Sequence, residues 1–202
     1  MSCVGSYIQV RAQRRCSGTI GTIIPSPVGH SILGYALYLV FRPRGVQNVK
    51  LIGLCIFAAN AADLDFVPGL LIGDPNRFHH GVSHSLGLAV LFALCCGSGR
   101  LLGPSFGENV AVFFCLYFSH VAIDYFSIDT SAPYGVPFFW PLTNDYYIAP
   151  FAFFPDIRRS PEAGKFFESL FTLHNVWAVT VEFIVISLVV VMIKVFKRAP
   201  AG

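Results

Sequence analysis

Apolar stretches alternate with short polar links along most of the chain, at 28–41 (VGHSILGYALYLVF), 49–62 (VKLIGLCIFAANAA), 84–102 (HSLGLAVLFALCCGSGRLL), 109–126 (NVAVFFCLYFSHVAIDYF) and 175–196 (NVWAVTVEFIVISLVVVMIKVF). A hydrocarbon core about 30 Å thick asks for roughly 20 helical residues. The last three runs approach that length. The first two are short, and cross only by extending into flanking residues or by lying partly in the interface. The pattern predicts an all-α fold, a polytopic bundle of about four to five transmembrane helices. A single membrane-embedded domain is expected over 27–198, behind a loose amino-terminal tail over 1–26. That tail carries Arg11, Arg14 and Arg15 but no small-x-small cleavage pattern, so it does not read as a signal peptide.

One long connection, 127–174, breaks the pattern. It holds Pro133, Pro137, Pro141, Pro150, Pro155 and Pro161 among Tyr134, Phe138, Phe139, Trp140, Tyr146, Tyr147, Phe151, Phe153 and Phe154. So aromatic a segment should not be disordered in water. It is expected to form an ordered cap at the membrane interface, where aromatic rings partition well.

Composition agrees with lipid as the solvent. Of 202 residues, 54% are hydrophobic and 12% charged, against about 25% charged in a soluble domain. The net charge of +3 is scattered, with no basic stripe interleaved with aromatics, so nucleic-acid binding is not expected. Of the six cysteines, Cys55, Cys95, Cys96 and Cys115 lie inside apolar runs, and Cys3 and Cys16 in the tail. With no CxxC spacing, neither a disulfide framework nor a cysteine zinc site is expected.

The ionisable residues of this charge-poor chain are not scattered. His30 starts the first run, Asp63 and Asp65 follow the second, His79, His80 and His84 precede the third, and His120 and Asp124 end the fourth. If each run crosses once, all of them fall on the same membrane face. A lone membrane histidine is more often a packing hydrogen bonder than a ligand. His120 and Asp124 sit one helical turn apart on one face, which suits two ligands of one ion or a plain hydrogen bond. Asp63 and Asp65, two apart, imply a turn that sends one carboxylate to an ion and leaves the other for a water or a second ion. Ser83 could cap the helix that follows the histidines. Together, five histidines and three acids on one face argue for a metal site, because buried ionisable groups near lipid are costly unless paired. Imidazole and carboxylate without thiolate suit Zn²⁺, Mn²⁺ or Fe²⁺.

Gly29-His30, Asp63-Leu64-Asp65, His79-x-Gly-x-Ser-His84-Ser85, Ser119-His120-x-x-x-Asp124 and Gly135-Val136-Pro137-Phe138-Phe139-Trp140-Pro141 stand in an order and spacing that resembles the bacterial membrane-bound metal-dependent hydrolase family, which includes a LexA-regulated member. The resemblance covers about residues 29 to 150. It implies an inner-membrane enzyme, distantly similar to zinc phospholipase C and P1 nuclease, whose zinc clusters use a His-x-x-x-Asp pair. His120 and Asp124 would match that pair, with His30, Asp63 or Asp65, and His79 or His84 as further ligands. One to three ions are implied, zinc foremost. Two positions depart from the family pattern: Ala62 replaces a proline before the first acid, and His80 replaces an arginine. A later His and Glu that ligate in the soluble enzymes find only His174 and Glu182, at another spacing, so no third metal is assigned.

The expected chemistry is hydrolysis of a phosphoester or lipid-linked substrate by metal-activated water. Asp63 or Asp65 would be the proton acceptor, and His80 or Arg77 a phosphate neighbour, although Arg77 reads more readily as a snorkelling charge. Membrane lipids and a small-molecule or lipid substrate are the expected partners. A metal transporter or sensor is the rival, weakened because transporters hold ligands near the midplane; a non-catalytic membrane protein keeping the metal for structure is a third. Basic residues opposite the site, Arg42, Arg44, Lys50, Arg100, Lys194, Lys197 and Arg198, suggest a cytoplasmic carboxyl terminus and a site facing outward.

Overall fold

A computed structural model describes residues 26–42, 48–99, 101–129 and 134–198. The expected tail, apart from Ser26, lies outside them. Helices α1, α2, α4 and α5 begin where a polar residue accepts from the first turn. Ser26 opens α1 (Pro27–Phe41), its hydroxyl accepting from Gly29 N, with Pro27 where no N–H is needed. Asn48 caps α2 (Val49–Ala59). A 3-10 turn, Ala61–Asp65, leads directly into α3 (Phe66–Leu71). Ser85 caps α4 (Leu86–Gly97), accepting from Leu88 N at 3.2 Å. Ser83, expected to cap this helix, instead donates to Asp65. A reciprocal Ser105–Glu108 capping box starts α5 (Phe106–Tyr125). The short α6 (Ala163–Ser169) and the long α7 (Leu173–Arg198) follow.

Two helices are long and apolar enough to cross a membrane, Phe106–Tyr125 and Leu173–Lys197. The segments Val49–Ala59 and Ala61–Leu71 pass together as one span bent by 60°, which makes three. This is fewer than the four to five expected. The discrepancy lies in α1, with 15 residues, and α4, with 12. The Ser85 cap and the turn after Gly97 cut the 84–102 run to a helix about 18 Å long, well short of the bilayer core.

Helix α1 lies against α2, α5 and α7, and α4 against α5. The main core joins Ala36, Tyr38 and Leu39 of α1 with Cys55 and Ala58 of α2, Ala93 of α4, Phe113 and Leu116 of α5 and Val190 of α7. Gly34 permits the close approach of α1 to α2, since a Cβ there would stand 2.8 Å from the Cys55 carbonyl and 2.9 Å from Ala59 Cβ. Helix α7 turns Phe183, Ile184, Leu188, Val191, Val195 and Phe196 outward, an apolar surface suited to lipid.

Among the described residues there is no strand, only the isolated bridges Ser127↔Phe154 and Val136↔Tyr147. The described part of the aromatic connection is held by contacts to α4 and to the core beside it. Leu86 N and Gly87 N donate to the carbonyls of Phe138 and Trp140, and Val136, fully buried, joins Ala62, Ala89, Tyr117 and Val121 in a second core directly beside the polar cluster.

Candidate metal centre

The four places that carry the ionisable residues meet at one end of the bundle. His30 lies in the first turn of α1 on its buried side. The bend after α2 delivers Asp63 and Asp65: with about three residues per 3-10 turn, positions two apart point to different sides. The loop before α4 brings His79, His80 and His84, held in place by Tyr117 Oη donating to the Ser83 carbonyl at 2.8 Å. His120 and Asp124 project from consecutive turns near the end of α5. His30, His84, His120 and Asp124 are each no more than 2% exposed. The cluster is least covered at Asp63, whose side chain is 15% exposed.

Three of these residues bring one atom each together, and a fourth lies alongside. His84 Nε2, His120 Nε2 and Asp124 Oδ2 are mutually 3.2 Å apart. Asp63 Oδ1 is 3.7 Å from His84 Nε2 and 3.4 Å from His120 Nε2. Ligands bound at about 2.0–2.2 Å in a tetrahedron stand about 3.3–3.6 Å from one another. His30 flanks this set, with Nε2 3.5 Å from Asp124 Oδ1 and its ring stacked on His120 at 3.7 Å between centroids. Both ring nitrogens of His30, Asp63 Oδ1, both Asp124 oxygens and His79 Nε2 are buried with no hydrogen-bond partner. Unmet polar atoms are rare in protein interiors, and here they converge on one place. A divalent cation is the ligand that would satisfy them, and the donor set, imidazole and carboxylate, fits Zn²⁺, Mn²⁺ or Fe²⁺.

The imidazoles are held from behind. His120 Nδ1 donates to the Ala59 carbonyl at 2.9 Å, which leaves the Nε2 lone pair facing the cluster. Asp65 lies 2.9 Å from His79 Nδ1 and 3.2 Å from His84 Nδ1, and accepts from Ser83 Oγ at 2.6 Å. This arrangement fixes ring orientation and raises the donor strength of the opposite nitrogen. Asp63, Asp65 and His79 also form a second grouping that could hold an ion, sharing Asp63 with the first. Burial, the nearby Arg159 cation and the neighbouring imidazoles hold the His79 pKa well below the ordinary histidine value, so the ring is neutral at neutral pH.

All seven sequence-selected residues, His30, Asp63, Asp65, His79, His84, His120 and Asp124, lie in this one constellation. His80, buried in a left-handed backbone conformation (φ 58°) with Nδ1 3.5 Å from Asp129 Oδ2, also forms a grouping with His79 and His84 that could hold an ion. Arg77 is exposed, over the Phe78 ring. His174 instead meets Asp156 at 3.0 Å, and Glu182 accepts from the Ser26 N–H and hydroxyl; neither is in the groupings that could hold an ion. Sequence reasoning missed Arg159, which is buried, lies over Phe66 and donates to Asn76. In sequence, Arg158 and Arg159 form an undistinguished basic doublet.

No curated protein and no solved structure matches the chain. One family model does, YdjM inner membrane protein, over residues 26–201. The match bears out the inner-membrane side of the resemblance seen in the sequence and lends nothing to its hydrolase or phospholipase C side. A match over nearly all of the chain, together with helices apolar enough to span a bilayer, means that the protein belongs to the YdjM inner membrane protein family and resides in the bacterial inner membrane.

Proposed function

We propose that this protein is a membrane-bound metal-dependent hydrolase acting on a phosphoester or lipid-linked substrate. The observation that carries the reading is the convergence of His84 Nε2, His120 Nε2 and Asp124 Oδ2 at ligand-to-ligand spacing, with Asp63 Oδ1 3.4 Å from His120 Nε2 and buried lone pairs left unpaired. When bound, a divalent ion supplies Lewis-acid polarisation of a substrate oxygen and acidifies a water. His84, His120 and Asp124 would hold the ion and leave a position for the water, with His30 packed against Asp124 and His120 from the α1 side. Asp65 orients His79 and His84 through their Nδ1 atoms. Asp63, the most accessible carboxylate of the cluster, would accept the proton of the attacking water. The surrounding apolar helices exclude bulk water and strengthen each of these interactions. The position of the cluster at the ends of α1, α2 and α5 favours an enzyme over a transporter, whose sites lie near the midplane.

The test is elemental analysis of detergent-purified protein, wild type beside His120→Ala, with phosphodiester and phospholipid hydrolysis measured on the same samples. Zinc, manganese or iron present in the wild type and lost in the variant, with turnover that depends on it, is the expected result. Metal without turnover would point to transport, sensing or a structural ion. Absence of metal from both would sink the reading.

A further inference from the structure

Arg159 is the buried cation of this region. It is 6% exposed; its Nε donates to Asn76 Oδ1 at 3.2 Å and its Cζ lies 4.5 Å from the centre of the Phe66 ring. Both contacts tie it to the metal centre. The Phe66 ring also stacks on His79, 3.9 Å between centroids, and the carbonyl of Asn76 accepts from His79 N. Yet Nη2 is buried with no partner, and among the described residues no carboxylate forms an ion pair with the guanidinium. Burial pushes its pKa down to about 10, against the pull of Asp63, Asp124, Asp65 and Asp129, so it stays charged at neutral pH.

The other cations nearby differ. Arg77 is exposed. Arg158 is half exposed and paired with Asp156 at 3.2 Å. Lys165 is exposed and paired with Glu162. Leaving a buried donor unpaired costs more than a hydrogen bond returns, most of all for a charged group. A ligand that brings an anionic oxygen would remove that cost, and the planar guanidinium suits phosphoryl oxygens in particular.

We propose that Arg159 is a substrate-binding residue whose free Nη2 donates to an anionic phosphoryl oxygen held beside the His/Asp cluster, which makes the substrate a phosphate ester. This rests on the hydrolase reading above and narrows it. Asn76 and Phe66 position the guanidinium, and the ligand's negative charge offsets both the arginine and the ion. The phosphoryl group can be carried on a lipid or on a soluble ester, because Arg159 recognises only the oxygen.

The experiment titrates inorganic phosphate into metal-loaded, detergent-solubilised full-length protein by calorimetry, with metal content read separately on each sample. Arg159→Ala is expected to keep its metal and lose phosphate affinity by about tenfold or more. Arg159→Lys, which keeps a cation without the fork, falls between, and Arg158→Ala matches wild type. If Arg159→Ala does not fold, the lysine variant carries the test. Metal-loaded wild type that binds no phosphate, or Arg159 variants that bind it as wild type does while melting earlier, would overturn the proposal and leave the metal reading standing. Wild type without metal would bring down the underlying reading instead. Displacement of phosphate by phosphatidic acid in mixed micelles and by glycerol 3-phosphate separates a lipid source from a soluble one, and either order supports a phosphoryl ligand.

Discussion

Two buried ionisable sites lie on helix α1, and they are built on opposite principles. At its start, Glu182 of α7 is fully buried and accepts from both the Ser26 N–H and the Ser26 hydroxyl, while that hydroxyl oxygen accepts from Gly29 N. Each polar atom there has a partner, and the result is a clamp between the first and last helices. One turn on, His30 has no hydrogen bond at either ring nitrogen and faces Asp124 and His120, whose neighbours are likewise short of partners. Burial of an ionisable group is common to both sites. Unpaired buried atoms belong only to the second, and that difference separates a site able to hold an ion from one that holds helices together.

The comparison breaks hardest on α5. His120→Ala or Asp124→Ala removes an atom of the converging set, and metal should fall below detection with hydrolysis abolished. The loss should exceed the roughly 10- to 100-fold typical of residues that only support a ligand. Circular dichroism should show the helices intact, because both side chains satisfy the cluster rather than the core. Metal retained at wild-type level in either variant would mean that the converging atoms are an ordinary packed hydrogen-bond cluster. A smaller effect is expected at Asp65, which touches His79 and His84 through Nδ1. Asp65→Asn should weaken metal affinity about 10- to 100-fold, measured by competition with a chromophoric chelator, and leave saturation stoichiometry unchanged. A drop in stoichiometry would instead make Asp65 a ligand of the grouping it forms with Asp63 and His79.

The sequence carried the site further than it carried the fold. Histidines and acids in a chain this poor in charge stand out, and they do meet in space, although the expectation rested on each run crossing once and at most three spans are long enough to cross. Helix ends were harder to see. The 84–102 run reads as one span because nothing in its hydrophobicity marks Ser85 as a cap or Gly97 as the last helical residue, and capping is a local hydrogen bond rather than a composition. The 60° bend after Ala59 was half legible, since Asp63 and Asp65 required a turn. Arg159 was not legible at all. Its burial depends on Asn76 and Phe66, about eighty to ninety residues away in sequence, and no local pattern distinguishes it from Arg158, which is paired and half exposed.

On the other side of the comparison, the clamp should answer in stability. Glu182→Ala leaves the Ser26 N–H buried without its acceptor and should cost about 1–3 kcal/mol, read as an earlier thermal transition in detergent. Metal stoichiometry at saturating metal should be kept, because Glu182 is in none of the groupings that could hold an ion. Glu182→Gln, which retains an acceptor oxygen, should lose less. Metal lost together with the clamp would show that α1 must be pinned from α7 for His30 to reach the cluster, and the two sites would then be one device.

The smallest effect separates the neutral imidazole of His79 from its neighbours. Unfolded, His79 takes up a proton near pH 6.5. Folded, burial and the nearby Arg159 keep it neutral to lower pH. Between those two values the unfolded chain binds more protons, so stability is level above about pH 6.5 and falls on acidification, by at most about 1.4 kcal/mol per pH unit from this one group. Thermal transitions of chelator-treated protein between pH 7 and pH 5 should therefore drop more steeply for wild type than for His79→Asn, which keeps a donor toward Asp65 but has no proton to gain. Parallel slopes would mean that the acid sensitivity of the cluster resides in the other histidines.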